Sequence, residues 1–121
     1  MASENNRSEV TFGPPSAAIF TVILRIHRLK RAVERNHNCA ATHAGSRLIV
    51  EPLPNGGIWR GLVEVFDLAG HPRADRCYAW MEPRGRRSVS ITRLRTSFAK
   101  SAQTAVRAAL AGRLLTRLPK R

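Results

Sequence analysis

Three side chains that commonly bind zinc lie close together before the middle of the chain. They follow the spacing His37-x-Cys39-x3-His43, and either His71 or Cys77 could complete a tetrahedral set. Structural zinc sites normally use paired CxxC elements or a CxxC with a later HxxxH, and this spacing matches neither. We therefore interpret the segment as a polar linker, and we predict no metal and no other cofactor.

A second possible set is a Cys-His-Asp nucleophile made of Cys77, His71 and Asp75. Cys77 lies in the apolar run CYAW, which is typical of a buried strand, whereas nucleophilic thiolates sit at electropositive turns or helix N-termini. The chain contains neither a GxSxG elbow nor a Gly-rich phosphate loop. We therefore predict that it is not an enzyme.

The distribution of charge is the most informative chemical signal in the sequence. The chain has 121 residues, with Lys+Arg 21, Asp+Glu 8 and a net charge of +13. All acidic residues precede position 83, and eleven basic residues follow it. Guanidinium groups bind phosphates bidentately, so this half predicts contact with a polyanion, most simply RNA or DNA without sequence specificity. The predicted contact residues are Arg84, Arg86, Arg87, Arg93, Arg95, Lys100, Arg107, Arg113 and Arg117.

Three alternatives to nucleic-acid binding remain open at this stage. Arginine outnumbers lysine eighteen to three, as GC-rich codon usage alone would also produce. The chain could instead be a protein-interaction module, as a homodimer or as an adaptor for an acidic partner. Its first helix, which is both apolar and basic, could also attach to a membrane surface. No apolar run reaches the roughly eighteen residues of a membrane span, which argues against a transmembrane protein.

Cellular location is inferred from the cysteines and from the N-terminus. Two cysteines are too few for a disulfide framework, so we expect reduced thiols and a cytoplasmic protein. The first residues, with early acids and a double proline, do not resemble a secretory signal.

Hydrophobic periodicity predicts an α+β fold. The expected order is a disordered arm at 1–15, an amphipathic helix at 16–36, a linker at 37–46, an α+β domain at 47–112 and a basic tail at 113–121. Within the domain, period-two segments at 47–53, 58–68, 76–82 and 87–95 predict an antiparallel meander of three or four strands. A closing helix at 101–112 packs on one face of this sheet and ends at Gly112. We expect the domain to fold without the first forty-five residues.

Two groups of apolar residues bear on how this fold packs. Phe20 and Leu24 lie outside the main apolar stripe of the first helix, which suggests either burial on both sides or a partner. The aromatic residues of the strands could be base-stacking platforms, but Tyr78 and Trp80 share one strand face and are better explained as core.

Two segments also carry a family resemblance. The sequence WRGLVEVFDLAGHPRADRCYAW at 59–80, followed by SAQTAVRAA at 101–109, resembles a group of short bacterial proteins with a WxGxVEVFxLxGHPxAxxCYAW-like segment and an alanine-rich SPxxAVxAA helix. The resemblance covers about 47–112 and implies a compact module of three or four strands with a helix. It implies no particular chemistry, and residues 1–45 have no counterpart in that group.

Overall fold

The computed structural model describes residues 17–116 and the side chains of residues 19–113. Its elements are α1 (Ala17–His37), β1 (Ala40–Pro52), β2 (Ile58–Ala69), β3 (Arg76–Arg84), β4 (Arg87–Leu94) and α2 (Ala102–Thr116). The strands form one antiparallel sheet in the order β1-β2-β3-β4, and α2 packs on it. The predicted α+β class, with its meander and closing helix, is therefore confirmed. The predicted arm at 1–15 lies outside the described residues.

The predicted linker at 37–46 is wrong, because most of it belongs to β1. Helix α1 ends at His37, and Asn38 adopts the left-handed conformation (φ 51°) that turns the chain into the strand. Ala40 then pairs with Ala69 of β2, and the ladder continues to Pro52 with one irregularity between His43 and Gly45. Small side chains and this β-bulge conceal the period of two that would have predicted a strand.

Helix α2 also extends further than predicted. It continues through Gly112 to Thr116, so that Arg113 lies within a helix and not in a basic tail. An end at Gly112 was predicted because glycine is a common C-cap residue, and because a longer helix would place Arg113 on its apolar stripe. In the structure Arg113 forms an ion pair with the buried carboxylate of Glu82 on β3, which stabilises it in this position. The remainder of the predicted tail, 117–121, lies outside the described residues.

The face of the sheet covered by α2, called here the α2 face, holds the main core. Trp80 is 1% exposed and packs edge-on against Trp59, with ring centroids 6.1 Å apart. The Tyr78 hydroxyl donates a hydrogen bond to the Lys100 carbonyl oxygen at 3.0 Å. Trp80 and Tyr78 are therefore core residues and not exposed stacking platforms. They pack with Ile49, Val63, Val65, Ala99, Ala102, Ala105, Val106 and Leu110.

The opposite face, called the α1 face, is covered by the second half of α1. Leu29 and Val33 are fully buried against Phe66, Cys77 and Ala79. Each helix covers its own face of the sheet, so the fold has three layers. Within residues 17–116, neither helix has the length and apolar character needed to cross a membrane.

Candidate nucleic-acid interface

The hairpin between β3 and β4 projects three arginines into solvent. Arg84 pairs with Arg87 across the ladder, and Gly85 and Arg86 form the connecting turn. Gly85 has a φ of 63°, and glycine at the first turn position suits a type II′ hairpin. All three arginines are exposed. The local sequence therefore fixes a tight turn with basic side chains on both sides of it.

Helix α1 approaches this hairpin and forms a cleft with it. The Arg28 guanidinium donates a hydrogen bond to the Ser88 carbonyl oxygen at 2.7 Å. At the end of α1, the His37 ring nitrogen Nε2 lies 2.9 Å from the Thr92 hydroxyl, and Asn36 donates to the same hydroxyl at 3.1 Å. These contacts hold α1 against β4 at two levels. The space between them is a cleft of about 690 Å³ lined by Arg28, Ala32, Arg35, Asn36, Arg84, Arg87, Ser88, Val89 and Ser90.

The residues of this arginine cleft include four cations and no carboxylate. None of the four arginines forms an ion pair with any acid of the part of the chain that the structure describes. None of the lining residues is aromatic. The cleft therefore offers guanidinium, hydroxyl and amide donors, which suit phosphate oxygens, but no ring on which a base could stack.

The described acidic side chains are occupied elsewhere. Five of them form ion pairs with basic residues outside the arginine cleft: Glu51 with Arg107, Glu64 with Arg25, Asp67 with Arg76, Asp75 with Arg95, and Glu82 with Arg113. Glu34 accepts a hydrogen bond from the Ala41 amide at 3.1 Å. Hydrogen bonds from Arg107 and Gln103 hold the pKa of Glu51 below its ordinary value, so this carboxylate stays charged beside its partner. The positive charge of the cleft is therefore not neutralised by any carboxylate among the described residues.

The predicted contact residues are divided among several places. Arg84 and Arg87 line the arginine cleft, and Arg86 is exposed beside it. Arg93 and Arg113 lie on the α2 face in a smaller cavity of about 360 Å³ that also contains Glu82 and that Arg84 lines as well. Arg95 and Lys100 lie beyond β4, in an open cavity with Asp75. Arg107 is bound to Glu51, and Arg117 lies outside the described residues.

Two residues of the cleft were missed as contact residues. Arg28 and Arg35 lie on α1, which was predicted only as an amphipathic helix. Their spacing of seven residues places them on one helical face, which was visible in the sequence. The strand that this helical face approaches could not be predicted from the sequence, because it depends on α1 covering the face of the sheet opposite to α2.

The two sets of residues considered for catalysis or metal binding have other partners. The His71 nitrogen Nδ1 accepts hydrogen bonds from the Arg73 and Ala74 amides, both at 3.0 Å. Burial raises the pKa of the Cys77 thiol to about 12, so it is not a thiolate at neutral pH. Asp75 is bound to Arg95. No group of three or more His, Cys, Asp or Glu side chains within the described residues could hold a metal ion.

Comparison with known proteins adds no relative from which a function could be inferred. The chain matches no protein-family model, no curated protein sequence and no solved structure. A function is therefore inferred from the geometry and charge of the chain itself.

Proposed function

We propose that this chain binds RNA or DNA through the phosphate backbone, without sequence specificity, in the arginine cleft. The observation that carries the proposal is the division of the charges: described carboxylates are bound elsewhere, while Arg28, Arg35, Arg84 and Arg87 share one cleft without a carboxylate. Arg86 extends the same basic surface at the hairpin. Codon usage accounts for the number of arginines but not for this separation.

The cleft geometry also supports the absence of sequence specificity. Base readout needs side chains that reach base edges, or rings that stack on bases. The strand aromatics Phe66, Tyr78 and Trp80 are buried in the core, and the cleft itself has no ring. The contacts it offers are to phosphates, which are the same in every sequence. A cytoplasmic location belongs to the same proposal and fits the two cysteines, which are both free thiols.

The test is a comparison of two triple variants that remove the same charge. In the cleft variant, Arg35, Arg84 and Arg87 are changed to Gln, and in the control variant Arg47, Arg60 and Arg73 are changed to Gln; all six residues are exposed. Affinity for a labelled RNA and a labelled DNA is measured by fluorescence anisotropy. Each lost phosphate contact weakens binding about tenfold at 0.1 M salt, so the cleft variant should lose affinity for both nucleic acids far more than the control.

Two results would contradict the proposal. Equal losses in both variants would mean that net charge, and not the cleft, determines binding. Binding to polyglutamate of matched charge as tightly as to RNA would favour an acidic protein partner instead.

A further inference from the structure

Part of the α1 face is exposed and mostly apolar, with the exposed Arg60 opposite Val50 as the charged residue among its members. Beyond Glu64, the side chains of Leu48, Val50, Ile58 and Leu62 point to this face on β1 and β2, where Leu48 pairs with Leu62 across the ladder. Their exposed fractions run from 40% to 67%. Helix α1 reaches the sheet through its second half and leaves these four residues, called here the sheet patch, open.

The first half of α1 is the second exposed apolar surface. Residues 17–24 read AAIFTVIL and contain no charge. Phe20, Val22, Ile23 and Leu24, called here the helix patch, are 44–64% exposed. A helix that is apolar on all sides is normally buried, because water is a poor solvent for every one of its faces. Both patches belong to the same side of the sheet, since the Arg25–Glu64 ion pair fixes α1 to that side.

The size of the two patches corresponds to that of a stable dimer interface. Their eight large apolar residues are 40–67% exposed, which amounts together to on the order of 700 Å² of surface and approaches the roughly 800 Å² that each partner buries in a standard interface. The segments outside the described residues offer few apolar side chains with which to cover these patches. Positions 1–15 (MASENNRSEVTFGPP) are mostly polar, and positions 117–121 (RLPKR) are short and basic.

We propose that a second copy of this chain covers both patches in a two-fold symmetric dimer. In such a contact the helix patch of each copy lies on the sheet patch of the other, so that one interface buries all four surfaces. An apolar helix on an apolar sheet face is also the packing that this chain already uses twice internally, with Val33 on the α1 face and Val106 on the α2 face. The dimer is independent of the arginine cleft, which lies at the β4 edge of the sheet.

The test measures the mass of the full chain in solution, after nuclease treatment and at high salt so that nucleic acid cannot bridge copies. The wild type should have twice the 13.5 kDa mass of one chain. Leu24→Glu and Leu48→Lys should each yield monomers, whereas Phe98→Glu, at a residue 87% exposed elsewhere, should remain dimeric. An equimolar mixture of Leu24→Glu and Leu48→Lys should dimerise again, because one heterodimer contact then pairs Glu with Lys and the other is native.

Several outcomes would overturn the proposal. A monomeric wild type at 100 µM would do so, and so would a dimer that survives Leu48→Lys, since the sheet patch would then lie outside the interface. Failure of the mixed variants to associate would exclude helix-on-sheet exchange. A monomeric chain that floats with phosphatidylglycerol vesicles, and no longer does so after Leu24→Glu, would show that a lipid surface covers the helix patch.

Discussion

Two regions of the molecule use arginine in opposite ways. Where the helices pack on the sheet, Arg107 and Arg113 of α2 meet the buried carboxylates of Glu51 and Glu82, and Arg25 of α1 meets that of Glu64. In the arginine cleft, Arg28 and Arg35 of α1 share the space with Arg87 of the hairpin, and no carboxylate lines it. The same residue type therefore serves as a structural pair at the helix–sheet contacts and as an available cation in the cleft. What distinguishes the two roles is the presence of an acid on the facing strand.

The largest effect is expected from removing the cover of the α1 face. A chain beginning at residue 47 lacks α1 and the first seven residues of β1, so Phe66, Cys77 and Ala79 lose Leu29 and Val33. Although the sequence alone suggested that 47–112 would fold independently, the structure leads us to expect no cooperative melt. Circular dichroism during heating measures this. A truncated chain that melts as sharply as the full chain would mean that α1 is not required for the cooperative folding of the sheet and α2.

On the α2 face, the largest single-residue effect is expected at Trp80. Its ring is almost fully buried between the strands and α2, and truncating a buried indole costs about 3–5 kcal/mol. Trp80→Ala should lower the free energy of unfolding in urea by that amount. The comparison residue is Phe98, whose ring is 87% exposed and whose change to Ala should have little effect. Similar losses at both positions would contradict the assignment of the core.

A smaller and more specific effect separates the two roles of arginine. Arg113→Gln leaves the buried Glu82 carboxylate without its charged partner and should cost about 1–3 kcal/mol of stability, with little change in affinity for nucleic acid. Arg87→Gln removes the same charge from an exposed position. It should weaken the affinity for nucleic acid and leave the free energy of unfolding almost unchanged. Urea unfolding and fluorescence anisotropy on both variants measure the contrast. If Arg113→Gln weakened binding as much as Arg87→Gln, the distinction between paired and available arginines would not hold.

The elements that could be predicted from sequence were those with a strong local signal. In β2, β3 and β4, β-branched and aromatic residues between clear turn residues predict strands, and the predicted ends lie within two residues of the observed ones. The first half of β1 could not be predicted, because Ala40, Ala41 and Gly45 carry no apolar alternation. The end of α2 was missed because the favourable position of Arg113 depends on Glu82, thirty-one residues earlier in the chain.

The residues of the candidate site can also be divided into those with a local sequence signal and those that depend on a tertiary contact. The hairpin arginines were predicted because a turn exposes its side chains whatever the rest of the fold does. The contributions of Arg28 and Arg35 depend on α1 crossing to β4, which is a tertiary contact without a local signature. Conversely, Arg95, Arg107 and Arg113 looked available in the sequence, but each pairs with a carboxylate far from it in the chain. A charge count along a sequence cannot separate these cases.

The measurement that tests the central claim most directly is the salt dependence of duplex DNA binding by the wild type and the Arg35, Arg84 and Arg87 triple variant. The three residues are exposed, so the free energy of unfolding should change by less than about 0.5 kcal/mol. Each phosphate contact contributes about 0.9 to the slope of log K against log salt concentration, so the variant's slope should be flatter by about 2.7. An unchanged slope in a fully folded variant would show that the cleft arginines do not contact phosphates, and would contradict the account.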